Sequence, residues 1–223
     1  PFSALFAITV LAYWQIAFLT DTIKWDMLDV ALPWRYFTAE VLQNNALPLW
    51  NPYQHLGYPI YGDLQYSVWY LEPLLIGYAF GYSNYTLHFL FIFYVWLGSW
   101  GIHKVCRTLG TSGSSAFLGA VIFICSGFIV AHVQHFNMLI AVAWIPHLLN
   151  EYLKFLRNGA RNLALLFVFT FLTVTGGYPP LVAIAAYLIF TLFMVELFSV
   201  LRRTGASSLK KFLSHHFAYV ALC

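Results

Sequence analysis

Charge is what this chain has least of: only 9% of its 223 residues are Asp, Glu, Lys or Arg, where an average soluble domain carries about a quarter. That excludes an ordinary water-facing surface around a single core. Cysteine is scarce as well. Cys106, Cys125 and Cys223 lie far apart in apolar sequence without metal-ligand spacing, so they read as small buried hydrophobes and carry no redox message. The first residues also lack the basic stretch and the small-residue cleavage site of a secretory signal. Residues 2–20 are therefore taken as a retained span.

What is present in quantity is apolar surface: 61% hydrophobic residues, 20% aromatic, and a mean hydropathy of +0.73. Runs near the length a helix needs to cross a bilayer recur along the chain. The expected fold is all-α, a single polytopic transmembrane domain over residues 1–223. Spans are placed at about 2–20, 85–106, 114–131, 137–156, 162–175 and 180–201, with another starting near 212. Because that last span stops partway, the chain is expected to be the amino-terminal part of a longer protein.

The few charges are sorted. Nine of the eleven basic residues form three groups: Lys104 with Arg107; Lys154, Arg157 and Arg161; and Arg202, Arg203, Lys210 and Lys211. Six of the eight acids fall between Asp21 and Glu72. The positive-inside rule then makes the amino terminus and the basic loops cytoplasmic and leaves residues 21–84 outside. "SVWYLEPLLIGYAFGY", residues 67–82, is the ambiguous piece. It reads as an interfacial helix, with a membrane crossing as the alternative, since Glu72 at mid-bilayer would cost about 2.5–3.5 kcal/mol.

Within the outside loop, Pro33 can open a helix over "WRYFTAEVLQNN", with Trp34, Phe37 and Val41 on one face and Arg35, Glu40 and Gln43 largely elsewhere. The Pro-rich stretch "ALPLWNPYQHLGYP" follows as an irregular aromatic loop. Two shorter outside loops, "AHVQHFN" and "TGGYPP", are expected to line one cavity with the long one.

The order of "DMLDVALPWRYF", "ALPLWNPYQHLGYPIYGDLQ", "SGFIVAHVQHFNMLIAVAWIPHLL" and "TGGYPPLVAIAAY" resembles the bacterial YfhO-type membrane protein family of the GT-C superfamily. Nearly the whole chain is covered by that resemblance. It implies a membrane glycosyltransferase taking sugar from a polyprenyl phosphate carrier to an envelope glycan or another outside acceptor, at the outer face of the bacterial inner membrane. It also implies a catalytic acid in the first outside loop. Asp26 takes that position, and Asp29, three residues on, is the second candidate where the family pattern has no acid. His135 matches a histidine of the same pattern.

Such a transfer needs a base for the acceptor hydroxyl, a partner for the departing phosphate and an apolar groove for the lipid. A carboxylate in reach supplies the first, typically about 10² to 10⁴ in rate. Arg35 and Lys24, the only basic residues of the long loop, are candidates for the phosphate. A divalent cation, Mg or Mn, held by Asp26 and Asp29 with His135 is the alternative. Asn51, Gln65 and Tyr53 are candidates for hydrogen bonds or contacts to sugar, and Tyr178 is the side chain of the "TGGYPP" turn expected to face the cavity. Most other loop aromatics read as an interfacial belt. The rival readings are a lipid- or partner-binding scaffold and a transporter or flippase. The latter requires ionisable groups inside the spans, whereas Glu151 and Glu196 are expected at cytoplasmic helix ends, where they can snorkel. No nucleic-acid partner is expected.

Overall fold

The computed structural model describes residues 1–159, 163–203 and 206–222, so Arg161 and Cys223, and the side chains of Arg203 and Lys211, lie outside the described residues. The basic turns expected at 158–161 and 202–208 are therefore described only in part. Among the described residues the chain is helical, with one isolated antiparallel bridge between Asn51 and Tyr58.

The spine is a pair of long helices, α5 (Asn84–Thr108) and α8 (Phe136–Asn158), each buried along much of its length. Two glycines let them approach. A methyl group on Gly98 would crowd Phe123 and the backbone of Ala143, and one on Gly101 would press on Pro146 and His147 at 2.8–2.9 Å. Small residues at such crossings replace a hydrophobic driving force with backbone contact, as in membrane helix pairs. The same gap lets His147 reach the carbonyl of Leu97, with its Nε2 at 2.9 Å.

On the other side of α5 lie α1 (Phe2–Ala12), α2 (Trp14–Ala17), α6 (Gly113–Ile124) and α7 (Gly127–Ala131). The expected continuous span at 2–20 is thus two helices broken at Tyr13, and that at 114–131 is broken at Cys125 and Ser126. The two breaks serve each other. Tyr13 Oη donates to the carbonyl of Ile124 at 2.7 Å, satisfying an acceptor that the end of α6 leaves free. Ser126 then restarts the helix by accepting from the Ile129 amide.

On the far side of α8 come α9 (Leu163–Thr175), α10 (Pro179–Arg203) and α11 (Ala206–Leu222). Three helical segments are long and apolar enough to cross a membrane: Asn84–Thr108, Gly113–Ala131 taken through the break between α6 and α7, and Pro179–Arg202. Phe2–Ala12 and Leu163–Thr175 are apolar but shorter. The expected helix at 137–156 is present in α8, yet it carries His147, Asn150 and Glu151 in the interior. Glu151 is not free to snorkel: it is buried and held by Lys154 Nζ at 2.8 Å and Asn150 Nδ2 at 2.7 Å.

Charge separates along the bundle. Asp21 and Asp26 lie near the starts of α5 and α8, through Thr22 against Asn84 and Asp26 against His135. Lys104, Arg107, Lys154 and Arg157 gather at the other ends, where Arg157 donates to the carbonyl of Thr108 at 2.6 Å. Twenty-five helical residues in α5 put about 37 Å between the two.

The acidic end is capped by the long loop. A wide helical turn, Met27–Ala31, runs into α3 (Leu32–Gln43), so the helix begins six residues before Pro33 rather than at it. Proline lacks the amide that an ordinary turn would use, and the i→i+5 bond from Leu32 N to Met27 O precedes it. A second wide turn, Pro73–Gly77, continues into α4 (Tyr78–Phe80) and stops at Gly81, whose φ of 71° suits glycine. These two short helices pack side by side. Residues 67–82 thus contain no helix long enough to cross a bilayer.

Candidate functional site

The inward face of α3 differs from the expected stripe. Its buried residues are Arg35, Thr38 and Ala39, while Trp34, Phe37 and Val41 are half-buried at its flank. Arg35 is only 2% exposed because a carboxylate waits for it: its Nε lies 3.5 Å from Glu72, which is buried as well. Arg35 also donates through one guanidinium nitrogen to the carbonyl of Tyr66 at 2.9 Å and lies over the Phe136 ring. Burial alone would lower its basicity, but Glu72 and the neighbouring tyrosines outweigh that, and the guanidinium stays charged.

Glu72 is the end of a directed chain. An indole can only donate, so Trp144 Nε1 donates to Tyr70 Oη at 2.6 Å. Tyr70 must then donate to Tyr94 at 3.0 Å, and Tyr94 to Glu72 at 3.3 Å. Tyr82 donates to the other carboxylate oxygen. Tyr94 stands ten residues, about 15 Å, into α5, so the Tyr70 side chain reaches down into the bundle to meet its hydroxyl.

The stretch from Tyr66 to Pro73 also fixes the rim. Ser67 Oγ donates to the carbonyl of Gly176 at 3.1 Å. Gly177, with φ of 97°, would collide with Ser67 and the Leu64 carbonyl if it carried a side chain. The "TGGYPP" turn thereby docks against the first loop. Asn137, in the first turn of α8, donates to the carbonyl of Gln65 and ties in the "AHVQHFN" loop.

The three loops at the acidic end consequently converge. A cleft of about 100 Å³ is lined by Asp26, Gln65, His135 and Tyr178, together with Trp34 and Asn137. Asp26 Oδ2 and His135 Nε2 are 3.5 Å apart, with the carboxylate 56% exposed and the imidazole 32%. His135 Nδ1 is buried without a hydrogen-bond partner, so a neutral ring aiming its Nε2 hydrogen at Asp26 would orient the carboxylate.

The other candidates lie elsewhere. Asp29 is exposed and does not line the cleft, because the wide turn rotates it away from the face of Asp26. Lys24 lines a neighbouring cleft of about 350 Å³. Arg35, expected at a phosphate, is withdrawn into the ion pair with Glu72, where two of its nitrogens lack hydrogen-bond partners. Asn51 is buried under the loop: it donates to Tyr66 Oη at 2.9 Å and accepts from the Tyr53 amide, so it builds the turn. Burial pushes the Tyr66 hydroxyl up to about 12, partly relieved by Asn51 and Arg35. Tyr53 is 86% exposed, its ring edge-on to Phe37. Among the described residues no three His, Cys, Asp or Glu side chains are grouped closely enough to hold a metal ion.

Comparison of the chain with protein families, characterised proteins and solved structures finds no match. Sequence reasoning missed Glu72 as a partner for Arg35, since the two are 37 positions apart and no local period links them. Trp34 and Asn137 were also missed at the cleft. Their only signal was position, one beside Pro33 and the other at the end of the polar "AHVQHFN" loop.

A second feature flanks the Tyr178 turn. An apolar groove of about 630 Å³ lies between α8, α9, α10 and α11, lined by Val174, Val182, Phe190 and Tyr219 among others. Val174 and Val182 stand four residues either side of Tyr178, so the turn that carries Tyr178 into the cleft joins the two helices, α9 and α10, that line the groove.

Proposed function

We propose that this chain is the membrane core of a GT-C-type glycosyltransferase of the bacterial inner membrane, with its amino terminus cytoplasmic and its acidic end outside. It moves a sugar from a polyprenyl phosphate carrier to an envelope glycan or another outside acceptor. The observation that carries the reading is the meeting of Asp26, Gln65, His135 and Tyr178 from three loops in one cleft at the acidic end of the bundle. Asp26 removes the proton of the attacking hydroxyl, and His135 orients it. Gln65 and Asn137 offer amide groups to sugar hydroxyls at the same rim. The groove beyond Tyr178 suits an isoprenoid chain, being apolar and open between helices. With Arg35 committed to Glu72, charge on the leaving phosphate is left to Lys24 in the neighbouring cleft or to a divalent cation, Mg or Mn.

The groove equally favours a lipid-binding scaffold that performs no transfer. Asp26→Asn in the protein in its own membrane separates the two. The transfer reading expects loss of one sugar from an envelope acceptor and build-up of its lipid-linked donor by mass spectrometry, at unchanged abundance. A glycan profile altered by deleting the gene but untouched by Asp26→Asn would leave the scaffold.

A further inference from the structure

The stretch from Ile23 to Met27 alternates in an unusual way. Ile23 and Met27 are both buried in the core, and the three residues between them, Lys24, Trp25 and Asp26, are exposed. Trp25 is 72% exposed and adopts φ of 59°, a left-handed conformation rare for a bulky side chain. Its backbone is over-determined. The Trp25 carbonyl accepts from the amides of Leu28 at 2.8 Å and Asp29 at 2.9 Å, and the Ile23 amide donates to buried His88 at 3.3 Å. Strain of this kind, about 1–3 kcal/mol, persists where the surroundings impose it, and such positions cluster at binding sites.

What the strain presents is an indole in the lining of the 350 Å³ cleft, beside Gln15, Asp21, Thr22, Lys24 and Gln134. The polar groups there are one acid, one base, two amides and a hydroxyl, so the cleft is electrically balanced and rich in both donors and acceptors. An aromatic face next to such a set suits a neutral, hydroxyl-rich ring, whose C–H face lies on the indole while its hydroxyls reach the amides. A phosphate or an acidic peptide would instead want net positive charge. The volume falls within the usual range for small-ligand sites, about 300–1,000 Å³. Gln134 lines both this cleft and the smaller one, and Asp26, which lines the smaller one, follows Trp25 directly, so the two clefts adjoin.

We infer that the Trp25 cleft binds a pyranose of the acceptor glycan and delivers one of its hydroxyls to Asp26. The acceptor role rests on the transfer reading above; the sugar-binding role does not. Both are tested with the purified protein in detergent by saturation-transfer NMR, using the methyl glycosides of glucose, galactose, mannose and N-acetylglucosamine as probes. At least one glycoside should receive saturation, strongest on its ring C–H protons. Its affinity should fall about tenfold or more in Trp25→Ala, fall less in Gln134→Ala, and persist in Trp25→Tyr and Asp26→Asn. Thermal melts of each variant guard against loss of fold. Absence of binding by all four glycosides, or binding indifferent to Trp25→Ala in a folded variant, overturns the inference. Trp25-dependent binding with an envelope unchanged by Asp26→Asn would keep the sugar site and remove the transfer. Loss of transfer in Asp26→Asn without Trp25-dependent binding would do the reverse.

Discussion

Two acid–base pairs stand at the acidic end of this bundle, and they are built to opposite specifications. Arg35 and Glu72 are sealed, 2% and 6% exposed, with tyrosine hydroxyls and a backbone carbonyl around them. Asp26 and His135 meet at the same 3.5 Å separation but remain open to a cleft. Distance alone therefore does not single out the pair proposed to react. Solvent access does, because a buried carboxylate that already accepts from two tyrosines and faces an arginine is closed to a substrate. The sealed pair works for the open one: through the Tyr66 carbonyl it holds the stretch whose next member, Ser67, docks on Gly176, and whose previous member, Gln65, lines the cleft.

The contrast breaks most visibly at Glu72. Removing one member of a buried pair leaves an uncompensated charge, about 3–5 kcal/mol. Glu72→Ala should thus drop the thermal midpoint steeply or abolish accumulation in the membrane, read by detergent-solubilised melting and immunoblot. An unchanged midpoint would show that the Arg35 charge finds another partner. At the open pair, Asp26→Asn should leave the melting midpoint nearly where it was, while transfer falls by about 10² to 10⁴. A large loss of stability there would erase the distinction between the pairs.

Gly177→Ala sharpens how the rim depends on the sealed stretch. Left-handed φ and the overlap with Ser67 both oppose a side chain, so about 1–3 kcal/mol of destabilisation is expected. Transfer activity should fall with it, since Tyr178 follows immediately. Asp29→Asn is the smallest change. An exposed carboxylate outside the cleft should alter stability by no more than about 0.5 kcal/mol and leave the glycan profile as it was. Loss of transfer in this variant would move the base from Asp26 to Asp29.

Much of the helical layout was legible because apolar run length and breaks are local properties. Helices at 84–108, 136–158, 163–175 and 179–203 lie where spans were expected, and of these 84–108 and 179–202 are long and apolar enough to cross a membrane. The interruptions at Tyr13 and at Cys125 with Ser126 were not legible, since each depends on the other across the bundle. In the site, Asp26, Gln65, His135 and Tyr178 were nominated from loop position and chemical type and are found together. Arg35, Asn51 and Lys24 were nominated on the same grounds and lie apart from them.

By itself the sequence determined an all-helical chain, apolar enough to place helices in a bilayer, with six of its eight acids in one long loop and nine of its eleven bases in three groups elsewhere. Composition and period suffice for that, because the cost of exposing backbone and charge to lipid acts on each segment separately. Which carboxylate opens into a cleft and which arginine is withdrawn was decided only by tertiary structure. Glu72 reaches Arg35 through a fold in the chain, and a wide turn before Pro33 sends Asp26 toward His135 and Asp29 away.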